Sequence, residues 1–429
     1  MSELAYIEKL LDGVEVEWKT LGAVSEIYGG LAGKSKADFE GGNAKFVTYK
    51  NIFSNLAVDT SQLAPVRVDA DERQNCVKYG DVLFTGSSEI ADEAGMSSVF
   101  TTQIDENVYL NSFSFGLRFN KGTPISPEFS KYLFRSKHIR SEISRTASGV
   151  TRFNISKERF KKIEIPIPCP DNPKKSLEIQ AAIVRILDAF TELTAELTAE
   201  LTARKQQYNY YREKLLRFDE GEFDWKTLGW ATKKWYSGGT PTAGTADYYE
   251  NGDIPWLRTQ EVKFSDIERT EVRITQAALK DSAAKWIPKN CVIVAISGAT
   301  AGRSAINKIP LTTNQHCGCL EIDDNKALYR YVFHWVSYNH EKLRSLGQGA
   351  RGDLNSSIIR GFNLPIPHPS DAERSLAEQA RIVAILDKFD AMTTSLTEGL
   401  PREIELRQKQ YAHYRDLLLS FPKSESLEA

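Results

Sequence analysis

The sequence predicts an α+β protein built as an internal repeat, in which two mixed domains are separated by a pair of long coiled-coil helices. Three observations predict this class. Short segments recur in the same order in both halves of the 429-residue chain. A long stretch with coiled-coil spacing closes each half. Each half also contains strand-like runs rich in β-branched and aromatic residues, namely KFVTY (45–49), DVLF (81–84), PWLRT (255–259) and CVIV (291–294).

Comparison of the chain with itself defines the repeating unit. Four segments return in order, which chance does not produce. The matched pairs are VEWKTLG (16–22) with FDWKTLG (223–229), IPIP (165–168) with LPIP (364–367), QAAIVRILDAF (180–190) with QARIVAILDKF (379–389), and Gln207–Leu216 with Gln410–Leu419. The opening segment YIEKLL (6–11) also matches YREKLL (211–216). The chain therefore begins with the end of the unit, and the unit is circular.

The central stretch contains Thr-Ala-Glu-Leu twice in tandem, at 194–201, after a degenerate copy. Because four residues advance a helix by slightly more than one turn, Leu193, Leu197 and Leu201 form one slowly drifting apolar stripe. A helix over about 176–218 would be roughly 60 Å long, which is longer than a small domain is wide. A core helix of one domain is the alternative, but the length favours a spacer.

The second long helix contains Gly399-Leu400-Pro401. Proline inside a helix costs about 3 kcal/mol or more, because it removes a hydrogen bond and clashes with the preceding turn. We therefore expect a kink or break near residue 400.

Composition restricts the class of protein. The chain has 41% hydrophobic and 26% charged residues, which is typical of a globular protein with two or three domains. Its net charge of -2 argues against indiscriminate coating of nucleic acid. The acidic N-terminus lacks the apolar region of a signal peptide, no long apolar run follows, and the five cysteines form no CxxC pair. We expect a cytoplasmic protein with reduced thiols and no membrane segment.

No segment matches a catalytic or metal-binding pattern. SGATAGRS (297–304) lacks the spacing of a phosphate-binding P-loop, and a turn between strands is the simpler interpretation. HCGC (316–319) lacks a second ligand pair, and its thiols alternate as strand residues do. No Ser/His/Asp or Cys/His set recurs in both halves. We expect neither a metal site nor an active site.

A basic run precedes the first long helix. From Lys131 to Lys162 there are ten basic residues and two acidic ones. The run contains the loop segment SGVTRFNIS (148–156), and the second half carries QGARGDLNS (348–356). A solvated charged helix is the alternative for the run alone. The paired loops favour DNA binding, because Arg, Asn, Ser and Gln supply the donors and acceptors that phosphates and base edges require.

Together these segments resemble the specificity subunit of a type I restriction–modification enzyme. Each divergent domain begins with a WKTLG margin and ends in a Pro-Ile-Pro segment before an IVxILDxF helix. The similarity covers essentially the whole chain, and the tandem TAEL units are similar to those of the type IC branch. The resemblance implies that two target-recognition domains each read one half of a bipartite, asymmetric DNA sequence. It also implies that the long helices pack antiparallel, set the spacing and dock two methyltransferase subunits.

The resemblance further implies partners and boundaries. Restriction/translocase subunits would join through the methyltransferase. S-adenosylmethionine, ATP and Mg would bind to these partners, with no cofactor in this chain. The expected segments are a first target-recognition domain at 1–170, whose residues 1–16 complete the repeat margin, a central helix at 171–218, a second target-recognition domain at 219–369, a C-terminal helix at 370–421 and a tail at 422–429.

Candidate functional residues lie in the loops, the basic run and the helices. In the paired loops, Arg152 and Asn154 are matched with Arg351 and Asn355. The candidate DNA-binding residues are Lys34, Lys36, Lys50, Ser87, Arg145, Arg152, Asn154, Lys157, Thr240, Arg258, Gln260, Ser297, Arg303, Arg351, Asn355 and Ser356. Apolar residues that a two-helix seam leaves without a neighbour are candidates for methyltransferase docking, namely Ile186, Leu193, Ile385 and Met392.

Two other functions stay open at this point. A methyltransferase or nuclease with its own active site would need an Asn/Asp-Pro-Pro-Tyr/Phe tetrapeptide or a metal-binding carboxylate cluster, and the sequence offers neither. A structural adaptor that binds only proteins is the other alternative. A gel-shift with duplex DNA, with and without the methyltransferase, would distinguish the adaptor from a DNA reader.

The TAEL units predict an effect on spacing. Gln180 to Gln207 is 27 steps and Gln379 to Gln410 is 31, so the second helix should be the longer rod by four residues, the length of one unit. Adding one Thr-Ala-Glu-Leu after Leu201 should lengthen the central helix by about 6 Å and rotate its stripe only about 40° beyond a full turn. Methylation mapping should then show the gap between half-sites widened by about one or at most two base pairs. An altered half-site, or an unaltered gap, would contradict this.

Overall fold

The computed structural model describes residues 13–218, 222–349, 352–394 and 399–423. The chain forms two compact units, one of Met1–Leu197 with Ile404–Ala429 and the other of Thr198–Glu403. Each unit therefore contains one mixed domain together with part of each long helix. The predicted α+β class and the internal repeat are confirmed.

Short strands make up most of each mixed domain. In the first unit they are β1 (Val16–Thr20), β2 (Ser25–Gly29), β3 (Ala44–Val47), β4 (Ala64–Val66), β5 (Cys76–Val77), β6 (Val82–Thr85), β7 (Ser87–Ser88), β8 (Ser97–Val99), β9 (Val108–Leu110), β10 (Ser114–Phe119), β11 (Ala147–Ser148), β12 (Phe153–Ile155) and β13 (Glu164–Pro168). In the second they are β14 (Phe223–Thr227), β15 (Thr232–Ser237), β16 (Ile254–Leu257), β17 (Asp266–Ile267), β18 (Val272–Ile274), β19 (Val292–Ala295), β20 (Ser304–Asn307), β21 (Thr312–Thr313), β22 (Cys317–Ile322) and β23 (Asn363–Pro367).

The described helices within the mixed domains are short, and those that follow each domain in the sequence are long. They are α1 (Leu21–Val24), α2 (Tyr49–Ser54), α3 (Pro127–Leu133), α4 (Lys137–Arg145), α5 (Lys157–Phe160), α6 (Pro173–Leu216), α7 (Leu228–Ala231), α8 (Ala246–Tyr249), α9 (Gln276–Asp281), α10 (Tyr329–Tyr338), α11 (His340–Ser345), α12 (Ser356–Gly361), α13 (Ala372–Thr394) and α14 (Leu400–Leu418). The predicted central helix is α6. None of the helices described has both the length and the apolar composition needed to cross a membrane.

Each of the four strand-like runs of the sequence forms an interior strand of its sheet. β6 lies in the sheet β2-β10-β6-β8, and β19 lies in the sheet β15-β22-β19-β20-β17. β3 and β16 belong to smaller neighbouring sheets, β4-β3-β9-β5 and β18-β16-β21. All four residues of β6 and of β19 are buried, which explains why these strands are continuous apolar runs in the sequence.

The WKTLG margin forms the first strand of each domain and pairs with the Pro-Ile-Pro strand. β1 pairs antiparallel with β13, with Trp18 opposite Pro166. β14 pairs in the same register with β23, with Trp225 opposite Pro365. Each ribbon has only two strands, so the N–H that proline lacks is not needed by a further neighbour. The two ends of each domain therefore meet just before a long helix begins.

A residue with left-handed backbone follows each Pro-Ile-Pro strand. Cys169 and His368 both have a φ of 47°, and a proline follows each of them. Their N–H groups donate to the carbonyls of Glu15 at 2.7 Å and Glu222 at 2.9 Å. This conformation costs a non-glycine residue about 1–2 kcal/mol. The repeated hydrogen bond therefore helps to hold a sharp bend where each strand leads into a helix.

A buried glutamine fastens each long helix to its domain. Gln180 of α6 has no exposed surface. Its Oε1 accepts the N–H of Ser126 at 2.8 Å, and its Nε2 donates to Ser176 at 3.1 Å. In the second unit Gln379, which is equally buried, accepts the N–H of Leu328 at 2.9 Å. The matched glutamines of the repeat therefore have the same structural role.

The long helices run antiparallel within the first unit. Tyr414 stacks on Phe190 with the ring centroids 5.2 Å apart. Lys423, beyond the end of α14, donates to Glu164, before the start of α6, at 2.9 Å. Because the end of one helix lies at the start of the other, the two chain directions are opposed.

The same ring pair occurs in the second unit. Tyr211 stacks on Phe389 with the centroids 5.5 Å apart. His368 Nδ1, before α13, lies 3.2 Å from Glu222 Oε2, beyond the end of α6, so the direction is again antiparallel. Phe389 matches Phe190 in the repeat, and Tyr211 matches Tyr414, so the stacking contact is duplicated.

The ends of the long helices belong to the domain cores. Leu418 and Leu419 are buried in the first core together with Phe129 and Tyr132. Leu216, the counterpart of Leu419, is 2% exposed in the second core. The first domain is therefore completed by the last helix of the chain.

The second long helix is interrupted where the sequence predicts it. α13 ends at Thr394, and α14 begins at Leu400 with Pro401 in its first turn, where proline is tolerated. Gly399 has a φ of 80°, and a Cβ there would lie 2.5 Å from the carbonyl oxygen of Ala391. In a continuous helix, residues eight apart are separated by about 12 Å. Gly399 therefore lies closer to the carbonyl of Ala391 than two turns of helix would place it.

The structure has α13 and α14 as separate helices. The expectation that the second long helix is a rod longer by four residues concerns a stretch that is only partly described, and it stays a prediction. Residues 395–398, which separate the two helices, lie outside the described residues.

Removing the glutamine contact should destabilise the first unit. Gln180→Leu would leave the N–H of Ser126 without its buried acceptor, which costs about 1–3 kcal/mol. Urea unfolding should show a lower midpoint with an unchanged slope. Glu178→Gln, at an exposed position of the same helix, is the control and should leave the midpoint unchanged. An unchanged midpoint for Gln180→Leu would mean that water replaces the contact at no cost.

Candidate nucleic-acid interface

A turn held by a buried asparagine presents one side chain to solvent in the first domain. Asn111, between β9 and β10, is 6% exposed. Its Oδ1 accepts the N–H of Phe113 at 3.0 Å, and its Nδ2 donates to the carbonyl of Val47 at 3.1 Å. The carbonyl of Phe113 accepts from Gly86 at 2.8 Å, and the carbonyl of Gly86 accepts from Ile155 at 2.9 Å. These bonds join the turn to the ends of β6 and β12.

The second domain repeats three of these four hydrogen bonds. Asn314 Oδ1 accepts the N–H of His316 at 3.0 Å. The carbonyl of His316 accepts from Ile296 at 2.8 Å, and the carbonyl of Ile296 accepts from Leu354 at 2.8 Å. We call each set the presenting frame, which consists of Gly86, Asn111, Phe113 and Ile155 in the first domain and Ile296, Asn314, His316 and Leu354 in the second.

Arg152 extends beside the first presenting frame. Its Nε donates to Ser87 Oγ at 2.9 Å, and its guanidinium lies over the ring of Phe113, 5.8 Å from the centroid. Ser87 is buried, and its carbonyl accepts from Tyr49 at 2.8 Å. Within the described residues the other guanidinium N–H groups have no hydrogen-bond partner. Arg152 therefore offers an exposed fork, and Ser87 acts by orienting it.

Four further candidates of the first domain are exposed, namely Lys36, Lys50, Asn154 and Lys157. The ammonium of Lys157 lies over the ring of Phe115 at 5.8 Å from the centroid. The amide of Asn154 donates to the carbonyl of Arg152 within its own loop at 3.3 Å. These side chains are free to reach a phosphate or a base edge at the loop surface.

Two candidates of the first domain are paired with carboxylates. Lys34 is bound to Glu72, and only 4% of its side chain is exposed. The hydrogen bond from Lys34 lowers the pKa of Glu72 to about 2, so this carboxylate stays ionised at neutral pH. The prediction that Lys34 is presented to DNA is therefore wrong. Arg145 pairs with Glu142 at 2.6 Å but is 73% exposed, and such surface pairs are weak enough to exchange for a phosphate.

Two arginines of the basic run at 131–162 form hydrogen bonds inside the first domain. Arg135 donates to the carbonyl of Ser97 at 2.8 Å, and Arg140 donates to the carbonyl of Asp92 at 2.8 Å. Burial lowers the pKa of both arginines to about 10. Treating the run as one phosphate-binding surface is therefore wrong, because these guanidinium groups are used inside the domain.

A chain of polar side chains lies beside the second presenting frame. Thr240 donates to Gln315 Oε1 at 2.6 Å. The Nε2 atoms of Gln315 and His316 are 3.2 Å apart. His316 Nδ1 lies 2.8 Å from Ser297 Oγ. The structure therefore brings the candidates Thr240 and Ser297 together with two residues that were not predicted.

Three other candidates of the second domain lie in the segment between β16 and β20. Arg258 donates to Glu271 at 2.6 Å and lies 3.8 Å from Glu261. Gln260 is exposed next to this pair in the sequence. Arg303 is half-buried immediately before β20. Because Arg258 pairs with two carboxylates, its attraction for a further anion such as a phosphate is weaker.

The presenting frames change which loop residues correspond. Because Ile155 and Leu354 have the same place in the two frames, Asn154 corresponds to Asp353 and not to Asn355. Asn154 and Asn355 therefore do not have equivalent places in the two loops.

Asn355 has a structural role at the start of α12. Its side chain accepts the N–H of Ile358 at 2.9 Å, as Ser156 accepts the N–H of Arg159 at 3.4 Å at the start of α5. Both are helix N-caps. Ser356 is the exposed first residue of α12. Arg351, the remaining candidate of this loop, lies outside the described residues.

The thiols of the second domain lie in its core. Cys291, Cys317 and Cys319 are buried in one cluster. Burial raises the pKa of Cys291 and of Cys317 to about 12, which keeps both thiols protonated at neutral pH. Over the described ranges, no group of three or more His, Cys, Asp or Glu side chains could hold a metal ion.

The candidate docking residues are half-buried on the long helices. Ile186 packs against the first core, so the expectation that it lacks a neighbour is wrong. Leu193, Ile385 and Met392 are of intermediate exposure. Leu193 and Met392 are matched positions of the repeat, and they provide one apolar side chain in each unit.

Phe113 and His316 were missed by reasoning from sequence. Neither lies in a periodic segment or a charged run. The available signal was the asparagine two residues before each of them, in Asn111-Ser112-Phe113 and Asn314-Gln315-His316.

The comparisons with known proteins agree with one another. The family described as "Type I restriction modification DNA specificity domain" matches residues 13–204 and 234–406. The EcoR124I/EcoR124II specificity subunit of Escherichia coli is 39% identical, covering 100% of this chain and 100% of that protein. The EcoprrI specificity subunit of Escherichia coli is 30% identical, with 93% of both chains covered.

Two crystal structures have a similar fold. The S subunit of a type I restriction–modification system from M. genitalium has a TM-score of 0.55 at 16% identity, covering 96% of this chain and 98% of that one. The HsdS subunit from Thermoanaerobacter tengcongensis has a TM-score of 0.50 at 15% identity, covering 94% and 95%. At these identities the likeness concerns the fold alone. The family match and the full-length relatives establish that the chain belongs to the type I restriction–modification specificity subunits, the components that supply DNA sequence specificity.

Proposed function

We propose that each mixed domain reads one half of a bipartite, asymmetric DNA site. The observation that carries this proposal is the duplicated presenting frame. The backbone bonds of the two frames are the same, whereas the side chains that they present differ, with a phenyl ring in one domain and an imidazole in the other. A shared scaffold with different exposed side chains suits the reading of two different half-sites.

The chemistry beside the first frame fits a DNA groove. The exposed fork of Arg152 matches the paired acceptors O6 and N7 of guanine in the major groove. Lys36, Lys50 and Lys157 are exposed ammonium groups of the kind that contact phosphates. We assign base contact to Arg152 and backbone contact to the lysines.

The second domain would use neutral donors and acceptors. Thr240, Gln315, His316 and Ser297 form a hydrogen-bonded chain. Hydroxyl and amide groups can donate to a base edge or accept from it. Their hydrogen bonds within the protein fix their orientation. The two half-sites are therefore read by different chemistry on equivalent frames.

The chain would act without catalysis of its own. Two methyltransferase subunits would dock on it, one for each repeat, and restriction/translocase subunits would join through them. S-adenosylmethionine, ATP and Mg would be bound by these partners. The antiparallel helices would set the spacing of the half-sites. The work of such a complex on DNA places it in the cytoplasm.

Arg152→Ala should impair only the first half-site. Loss of a bidentate base contact costs about 1–3 kcal/mol. Binding of the complex with its methyltransferase is measured on duplexes in which one half-site at a time is scrambled. Arg152→Lys is the matched control, because it keeps the charge but not the fork, and it should recover little of the loss.

Salt dependence separates base contacts from phosphate contacts. Wild-type affinity should fall steeply as salt rises, since several lysines displace counterions. Arg152→Ala should leave the slope nearly unchanged, whereas Lys36→Ala should lower it. Equal weakening by Arg152→Ala on every sequence would assign Arg152 to phosphate and overturn its assignment as a base reader.

Docking of the methyltransferase should depend on matched apolar residues of the two repeats. Leu193→Glu and Met392→Glu place a charge on one docking position each, which is unfavourable in an apolar contact. Light scattering should show a mass increase of two partner subunits for the wild type, one for each single variant and none for the double variant. We also expect the isolated wild-type chain to be prone to aggregation.

Glu192→Gln is the control for the docking experiment, because Glu192 is exposed beside Leu193. It should leave the mass of the assembly unchanged. A wild-type chain that stays monomeric and gains no mass with the partner would contradict the docking proposal.

A further inference from the structure

The ring of Phe113 is the most unusual feature of the first presenting frame. It is 67% exposed, although a phenyl ring gains about 1.5–3 kcal/mol from burial. Both its N–H and its carbonyl are hydrogen-bonded within the frame. The backbone therefore cannot turn the ring inward without breaking these bonds, and the ring is held in solvent by the fold.

One face of the ring is already occupied. The guanidinium of Arg152 lies over it, 5.8 Å from the centroid, and Ser87 holds that guanidinium in place. A side chain that wedges between two base pairs needs both faces of its ring. Phe113 has one open face and its outer edge, which suits contact with a small apolar group beside the guanidinium.

The major groove of DNA offers one such apolar group, the 5-methyl group of thymine. Arg152 supplies charge and donors for guanine, and Phe113 supplies the adjacent apolar contact. We propose that the ring of Phe113 contacts the 5-methyl group of a thymine in the half-site read by the first domain. This inference rests on the proposed function and names a specificity-determining residue for it.

The second frame explains why the contact belongs to one half-site only. The side chain at the equivalent position is His316, and both of its ring nitrogens have polar neighbours, Ser297 and Gln315. An imidazole is a polar ring, so this position offers no apolar side chain comparable to the phenyl ring of Phe113. The half-site of the second domain therefore has no methyl contact of this kind.

A thermodynamic cycle between protein and DNA tests the contact. The complex with its methyltransferase is titrated with a specific duplex and with duplexes in which each thymine of the first half-site is replaced by deoxyuridine, one at a time. Burial of one methyl group corresponds to about a fourfold change in affinity. We expect one thymine at which deoxyuridine weakens wild-type binding about fourfold, and at which the same replacement has no effect on Phe113→Ala.

Two variants serve as controls. Phe113→Leu keeps an apolar side chain and should retain the methyl preference in part. Tyr79→Ala removes a 50% exposed ring before the start of β6, at the other end of the strand from the frame, and should behave as the wild type. Circular dichroism checks that Phe113→Ala is folded, as expected for an exposed position.

The outcomes separate this inference from the proposed function. Additive effects of Phe113→Ala and deoxyuridine at every thymine, or equal weakening by Phe113→Ala on all duplexes, would overturn the methyl contact while leaving the reading of half-sites intact. If Arg152→Ala also left the first half-site unaffected, the proposed function of the first domain would fail with it.

Discussion

Burial of the last turn of the chain in the core of the first domain is the contact on which the architecture depends. Leu418 and Leu419 occupy in the first unit the place that Leu215 and Leu216 occupy in the second. Each mixed domain is enclosed by one long helix that precedes it in the circular order of the repeat and one that follows it. In the first domain the preceding helix is supplied by the C-terminal end of the chain. The core of the first domain therefore contains residues that are far apart in the sequence.

The internal repeat makes most of the fold predictable. Periodicity and matched segments predict α6, the strands β6 and β19, and the interruption near Pro401, because these features depend on local sequence. The close approach of Gly399 to the carbonyl of Ala391 was not predictable in the same way. A sequence shows how many residues separate two positions, but helical length depends on whether those residues continue the hydrogen-bonded ladder.

The candidate site was less predictable than the fold. A count of charges suggested a basic surface, yet Arg135 and Arg140 bind backbone carbonyls inside the domain. Guanidinium groups have several donors in a rigid fork, so they satisfy loop carbonyls as readily as phosphates. Arg152 was found because it lies on a Gly-bearing loop. Phe113 was missed because a single exposed aromatic residue has no pattern in sequence, and only the hydrogen bonds of Asn111 reveal why it is held outward.

In each presenting frame, the groups that fix the turn differ from the side chain that the turn exposes. The bonds that fix each turn involve backbone groups and one buried asparagine, whereas Phe113 and His316 add little to either core. A substitution at either position is therefore expected to change the exposed side chain at little expense in stability. Most proteins acquire new binding properties through changes that also weaken the fold. If each frame presents a base-reading side chain, as proposed, a single substitution there changes recognition while the hydrogen bonds of the frame stay in place, and the two half-sites can then change independently.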